Sequence, residues 1–325
     1  MHEPRDPHPE LRGGWRIIAR KELSDHLHSA RFAILMVVVG LSGLAAVHSA
    51  SGALRDAAAK TAGVPSLFLY VFTVSPDRVP SFVQFVGFLG PLLGIAFGFD
   101  ALNGERSQRT LPRLVAQPVH RDDVVNGKFA AGVAVIALSI TFVVALVSGY
   151  AIVRLGISPG LGDVVRLVAF VVAAVVYISV WLGLAIWTSV VSRRPATAAL
   201  ATIAVWLVLT FFAGLISGVV ADAVRPVKDS ADAAAVLANA RLDQQLHRIS
   251  PEELYEEATQ VLLDPTARTT ASVIESSRLD LAIPTQLGLA DSLGLAAGQL
   301  LTLVAAAVVL FAADYVVFIR QEVRA

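Results

Sequence analysis

The sequence predicts an all-α, polytopic membrane protein, and three observations carry that prediction. Of 325 residues, 55% are hydrophobic and only 16% charged, which lies outside the usual range of a soluble domain. The apolar residues gather into six runs: Phe32 to Val47, Phe82 to Phe99, Phe129 to Val153, Leu167 to Val191, Thr197 to Val220 and Gly294 to Phe318. With their flanking residues, these runs have about the length that a hydrocarbon core roughly 30 Å thick demands. Finally, the charged residues lie almost entirely between the runs. The 26 basic and 26 acidic side chains cancel, so no basic excess points to nucleic acid and the information lies in their placement. The absence of cysteine removes disulfides, thiolate metal sites and cysteine catalysis together.

Residues 1–14 are rich in Pro, His, Glu and Arg without periodicity and read as a disordered tail. Between Trp15 and Arg31, apolar Trp15, Ile18, Leu23 and Leu27 alternate with Arg16, Arg20, Lys21 and Asp25. This pattern describes a basic amphipathic helix lying in the membrane interface, anchored by Trp15. His26 and His28 are expected to be solvated. The first run then spans, since about thirty mostly polar residues ahead of it make too long a leader for a cleaved signal peptide.

An apolar patch from Val64 to Val74 is too short to cross and is expected to lie in the interface or pack on protein. In the second run Gly90, Gly94 and Gly98 recur at every fourth position, leaving a smooth face for close helix packing, either within the subunit or against a second one. Pro91 in the same run is expected to kink it. Gly160-Leu161-Gly162-Asp163 spells the GxGD of intramembrane aspartyl proteases, but those need a second carboxylate nearby, and none lies in a span at a matching position.

After the tight basic turn Ser192 to Pro195 comes the fifth run, and residues 221–293 are then polar, with helices expected from Ser230 to His247 and from Ser250 to Leu263. The second helix has Ser250 at its N-cap, Pro251 at its first position and Asp264-Pro265 at its end. Glu252, Glu253, Glu256 and Glu257 on it read as a solvated acidic face rather than a metal site.

The segment from Asp100 to Lys128 is a charged island between the second and third runs, with Arg106, Arg109, Arg113, Arg121 and Lys128 beside Asp100, Glu105, Asp122 and Asp123. Leu111, Leu114 and Val115 keep helical spacing up to Pro118, describing a short amphipathic helix suited to docking on a surface. The order Asp100, Glu105-Arg106, Thr110-Leu111, Leu114, Pro118-Val119, Arg121 and Gly127-Lys128 resembles the first cytoplasmic loop of ABC-2 type transporter permeases. It departs from the family's usual pattern at Arg109, where a Gly is common, and at Ser107, where a Glu is common. Residues 16–32, SVVSRRPATAAL from the end of the fourth run into the fifth, residues 249–265 and the end of the chain resemble the same family, the last two its NosY-like branch.

The resemblance implies a permease subunit of an ATP-binding cassette exporter in the cytoplasmic membrane of a prokaryote. A partner ABC ATPase binds the ATP and rests on the loop. The ATPase-coupling residues it implies are Glu105, Arg106, Thr110, Leu111, Leu114, Pro118 and Arg121. It also implies pairing with a second permease, identical or related, around the pathway.

No GxxxxGK[ST] phosphate loop occurs, so an ATP-driven role requires the partner. Fifteen Lys and Arg lie on the segments that share the N-terminal side, against five in the two short opposite loops. By the positive-inside rule both termini and the island then face the cytoplasm. Residues 221–293 would face outward as a helical cap able to meet a cargo protein. An ion-coupled secondary transporter would have to use Gln84, Gln299 and Asp314, and a membrane enzyme would need catalytic side chains that the apolar runs lack. Charge reversal at Glu105 is expected to uncouple the ATPase while leaving the bundle folded.

Overall fold

The structure is a computed structural model that describes residues 14–58, 67–76, 79–107, 121–227, 229, 232–264 and 287–320. Among these residues every regular element is helical: α1 (Gly14–Leu27), α2 (Ala30–Ala58), α3 (Leu67–Thr73), α4 (Phe82–Gly98), α5 (Asn103–Ser107), α6 (Arg121–Leu155), α7 (Leu161–Val191), α8 (Pro195–Phe211), α9 (Ala213–Val224), α10 (Ala233–His247), α11 (Pro251–Leu263) and α12 (Leu289–Arg320). Five of the helical stretches, beginning at Ala30, Phe82, Asp122, Leu161 and Leu289, are each long and apolar enough to cross a membrane. The pair α8 and α9, bent by 47° between them, supplies the sixth when taken as one broken span.

The helices overrun the apolar runs. Span one continues to Ala58 because Val47, Ala50, Ser51 and Leu54 are buried, the Ser51 hydroxyl donating back to the His48 carbonyl. At 35 residues α6 is about 50 Å long, since it begins in the charged stretch at Arg121. Sequence signals nonetheless set several starts. Ser81 and Gln84 form a reciprocal capping box at α4, and Pro195 opens α8. The GxGD stretch proves to be a helix start: the Gly160 N–H donates to Asp163 Oδ2 at 3.0 Å, at the head of α7. Pro91 lies inside α4, which runs on to Gly98.

Helix α7 is the hub, packing on α4, α6, α8, α11 and α12. The glycine stripe of α4 faces it, within the subunit. A Cβ at Gly94 would stand 2.7 Å from the Ile178 carbonyl oxygen and 2.8 Å from the Leu182 nitrogen. At Gly98 it would meet Ala185 Cβ at 2.7 Å, so the two backbones approach as only glycine allows. Exposed Ile34, Leu41, Phe142, Leu301 and Val308 lie on the outer faces, where lipid is the natural neighbour.

The fifth run does not form one straight helix, because α9 has its own partner. Ser217 donates to Asp243 Oδ1 at 2.6 Å and Asn239 to Asp222 Oδ1 at 2.8 Å, making α9 and α10 an antiparallel hairpin. From there α11 turns back among α3, α4, α7 and α12, burying Leu254, Tyr255, Ala258, Val261, Leu262 and Leu263. Its tyrosine joins an aromatic series, Phe68, Phe72, Phe82, Phe170, Tyr255 and Tyr177, with Tyr255 and Tyr177 stacked at 4.6 Å. Val64 to Val74 packs on protein in the part described, with Phe68, Leu69, Val71 and Phe72 buried in α3.

The acidic face of α11 is therefore not solvated as a whole. Glu257 is buried and accepts from Gln244, Arg248 and Gln299, with Nε2 of Gln299 at 2.9 Å. Glu256 is pushed up to about 7 by burial and by Glu252 and Glu253. Gln84, the cap of α4, and Gln299 thus have structural partners. Asp314 is wholly buried, without a hydrogen-bond partner, and does not reach water or an arginine as its place near a helix end suggested.

Candidate functional site

The charged island begins where α4 ends, and its described parts converge with α1 and the start of α6. Gly127 brings α1 onto α6: a Cβ there would lie 2.8 Å from Ile18 Cβ and from the Trp15 carbonyl oxygen. One turn of closeness puts Lys128 under α1, with its side chain only 5% exposed. Its ammonium lies 2.8 Å from Glu105 Oε1 and 3.1 Å from Glu22 Oε1, joining α1, α5 and α6 through one charge. Lys21 extends the network to Glu22 at 3.3 Å and Asp25 at 3.2 Å.

Beside it, Arg31 pairs with Asp100 at 2.6 Å, donates to the Ala96 carbonyl at 3.3 Å and stacks over Phe99. The first span is thereby tied to the end of α4. These groups surround a cavity of about 300 Å³ whose lining includes Glu22, His26, Arg31, Asp100, Glu105 and Lys128.

Electrostatics here favour a locked arrangement. Burial opposes the charged form of Glu22, but the Lys128 and Lys21 charges outweigh it and hold its carboxyl below the ordinary value. Burial pushes His26 down, only partly offset by Glu22 and Asp100. Its ring meets the edge of Phe97 at 5.1 Å, so His26 is a packed residue and not the solvated one expected. Every carboxylate of the inner shell has a cation within reach, and such a cluster can hold helices in register and pass displacement between them.

Of the residues expected to couple an ATPase, Glu105 lies in α5 and points inward to Lys128, with 17% of its side chain exposed. Arg106 lies in α5 and Arg121 opens α6. Thr110, Leu111, Leu114 and Pro118, and with them the amphipathic helix, lie outside the described residues. The expectation that Glu105 could be reversed without disturbing the bundle does not survive its pairing with a buried lysine. Glu22 and Lys128 were missing from the expected site. Lys128 stood in the family-like pattern beside Gly127, whereas nothing in the sequence linked Glu22 to a lysine 106 positions later.

The site thus lies in a helical bundle with five or six candidate membrane spans, at a tied, charged end where a loop leaves and returns. The chain is a member of the ABC-2 family of transporter proteins, whose model matches residues 16–323. Two relatives carry the name "Probable ABC transporter permease protein NosY". The one from Stutzerimonas stutzeri is 32% identical over 130 residues, and the one from Pseudomonas aeruginosa 30% over 129. Each match covers 38% of this chain and 40% of the relative, well short of the relatives' full length.

Proposed function

We propose that the chain is the permease subunit of an exporter driven by a separate ABC ATPase, which binds the ATP and docks on the segment between Glu105 and Arg121. The observation that carries this reading is the Lys128 knot: the segment leaves at Glu105, which pairs with Lys128, and returns into the same helix as Lys128, seven residues ahead of it. Force applied to the segment would reach α1, α5 and α6 together. The lack of a phosphate loop in the chain and the names of the relatives support an ATPase on another subunit.

In this reading both termini and the Lys128 knot face the cytoplasm, a second permease copy or related chain completes the pathway, and residues 221–293 face outward as a helical cap that can meet a cargo protein. Co-expression of the chain with a candidate ABC ATPase, followed by purification of the permease, tests it. Leu111→Asp, which puts a charge on the proposed docking face, should abolish co-elution while leaving the permease in the membrane fraction. Unchanged co-elution would remove the docking assignment. The ion-coupled alternative is left with Asp314, since Gln84 and Gln299 are engaged elsewhere.

A further inference from the structure

The turn that leads from α4 into α5 is held by a residue from another span. Ser189, wholly buried in α7, accepts two backbone hydrogen bonds through its hydroxyl, from the Leu102 N–H at 3.0 Å and the Asn103 N–H at 3.2 Å. These donors open a short helix and would otherwise lack partners, so Ser189 caps α5 from across the interface. The side chain of Asn103 gives no help: it is buried, and neither its oxygen nor its nitrogen has a hydrogen-bond partner. The contact stands at the end of the Gly94 and Gly98 seam, where α4 and α7 are already backbone to backbone.

The preceding residue faces the other way. Thr188 and Thr202 of α8 lie 2.7 Å apart, both buried, one hydroxyl donating to the other, and the hydroxyl that accepts donates in turn to a carbonyl of its own helix, Ala185 or Ala198, at 2.9 Å. Two adjacent side chains of α7 thus grip the turn at the start of the island on one side and the broken fifth span on the other. Only Ser192 to Arg194 separates α7 from α8, so the two helices also share a short covalent turn.

We propose that Ser189 is a positioning residue for coupling, relaying displacement of the loop at Leu102 and Asn103 into α7 and, through Thr188 and Thr202, into α8. This rests on the ATPase-docking reading above and extends it from the two spans that flank the loop to the fourth and fifth. A rigid seam is needed for such a relay, and the glycine contacts supply it. The hydroxyl is what ties the loop to that seam.

The test measures MgATP hydrolysis by the co-purified ATPase with and without the permease in lipid nanodiscs. Ser189→Ala should lower the permease-dependent change in rate about fivefold or more, at unchanged affinity for the ATPase and for MgATP. Ser189→Thr, which keeps the hydroxyl, should retain most of it. Thr202→Val should show a similar loss. The Ser189→Ala/Thr202→Val double variant should lose no more than the worse single, as steps in series require, whereas two independent packing defects would multiply.

Wild-type rates in Ser189→Ala, equal losses in the Ala and Thr variants, or multiplying losses in the double variant would each overturn the relay. Should Ser189→Ala fail to assemble, normal coupling in Thr202→Val overturns it and a loss there at normal stability supports it. If the wild-type chain leaves hydrolysis unchanged, the docking reading itself falls, and the relay with it.

Discussion

Lys128 shows how one side chain can organise the end of a bundle. A buried ammonium is costly alone, and here two carboxylates from separate helices offset that cost. Lys128→Ala should leave Glu22 and Glu105 facing each other and destabilise the protein by about 2–4 kcal/mol, read from thermal unfolding in detergent. Glu105→Arg should be at least as harmful, because it sets a second cation against Lys128. A charge-swapped Lys128→Glu/Glu105→Lys pair, if as stable as the parent, would contradict the three-way bridge, since Glu22 would then face a like charge. The chemistry of Glu105 was legible in the island's pattern, but its direction was not. Periodicity reports which face of a helix is apolar, and α5, five residues long, is too short to have a period.

Glu256 makes a pH prediction at the same scale. Its folded pKa of about 7 stands above the unfolded value of a glutamic acid. The neutral form is thus favoured by folding, and that contribution is full below the unfolded pKa and lost as pH rises through about 7. The protein should melt several degrees lower at pH 8.5 than at pH 5.5 on account of this group, and Glu256→Gln should flatten that difference. A slope unchanged by the substitution would mean that the carboxyl is not buried as described.

Among the elements, spans one to four and six were readable because burial in lipid demands long apolar runs, whatever the neighbours. The glycine stripe was readable as a packing face, and the structure chooses its partner, α7. Gly94→Ala should cost about 1–3 kcal/mol, because the nearest atoms are backbone and cannot move aside, and the check is the folded fraction on size-exclusion chromatography. Gly149, which has nothing within 4 Å of an added Cβ, should accept alanine without loss and serves as the control. Two features escaped a reading by composition. The bend at Phe212 comes with polar contacts between α9 and α10, and the inward docking of α11 brings Tyr255 and Glu257 to residues far away in sequence. Apolar content identified the first region as helical, and the Ser250 cap, Pro251 and the Asp264-Pro265 end identified the second. Pairing between separate helices has no local signature.

Across the whole molecule, a lipid-facing exterior, a hub at α7 and a charged knot are packed into one bundle, which under the proposed function would turn force on a loop into movement of spans. Arg166 closes the far end, donating to the Leu262 carbonyl at 2.8 Å and the Ser292 hydroxyl at 3.1 Å, which pins α11 and α12 to α7. The hub can therefore carry displacement from the knot to α11. The central claim is that an ATPase supplies this displacement, and permease-dependent MgATP hydrolysis measures it directly. The co-purified ATPase, assayed in nanodiscs with the full chain, should hydrolyse MgATP at a rate that differs severalfold from that of the ATPase alone, and Leu111→Asp should return it to the isolated value. A rate that the permease leaves unaltered, or one that Leu111→Asp leaves fully coupled, would contradict the account.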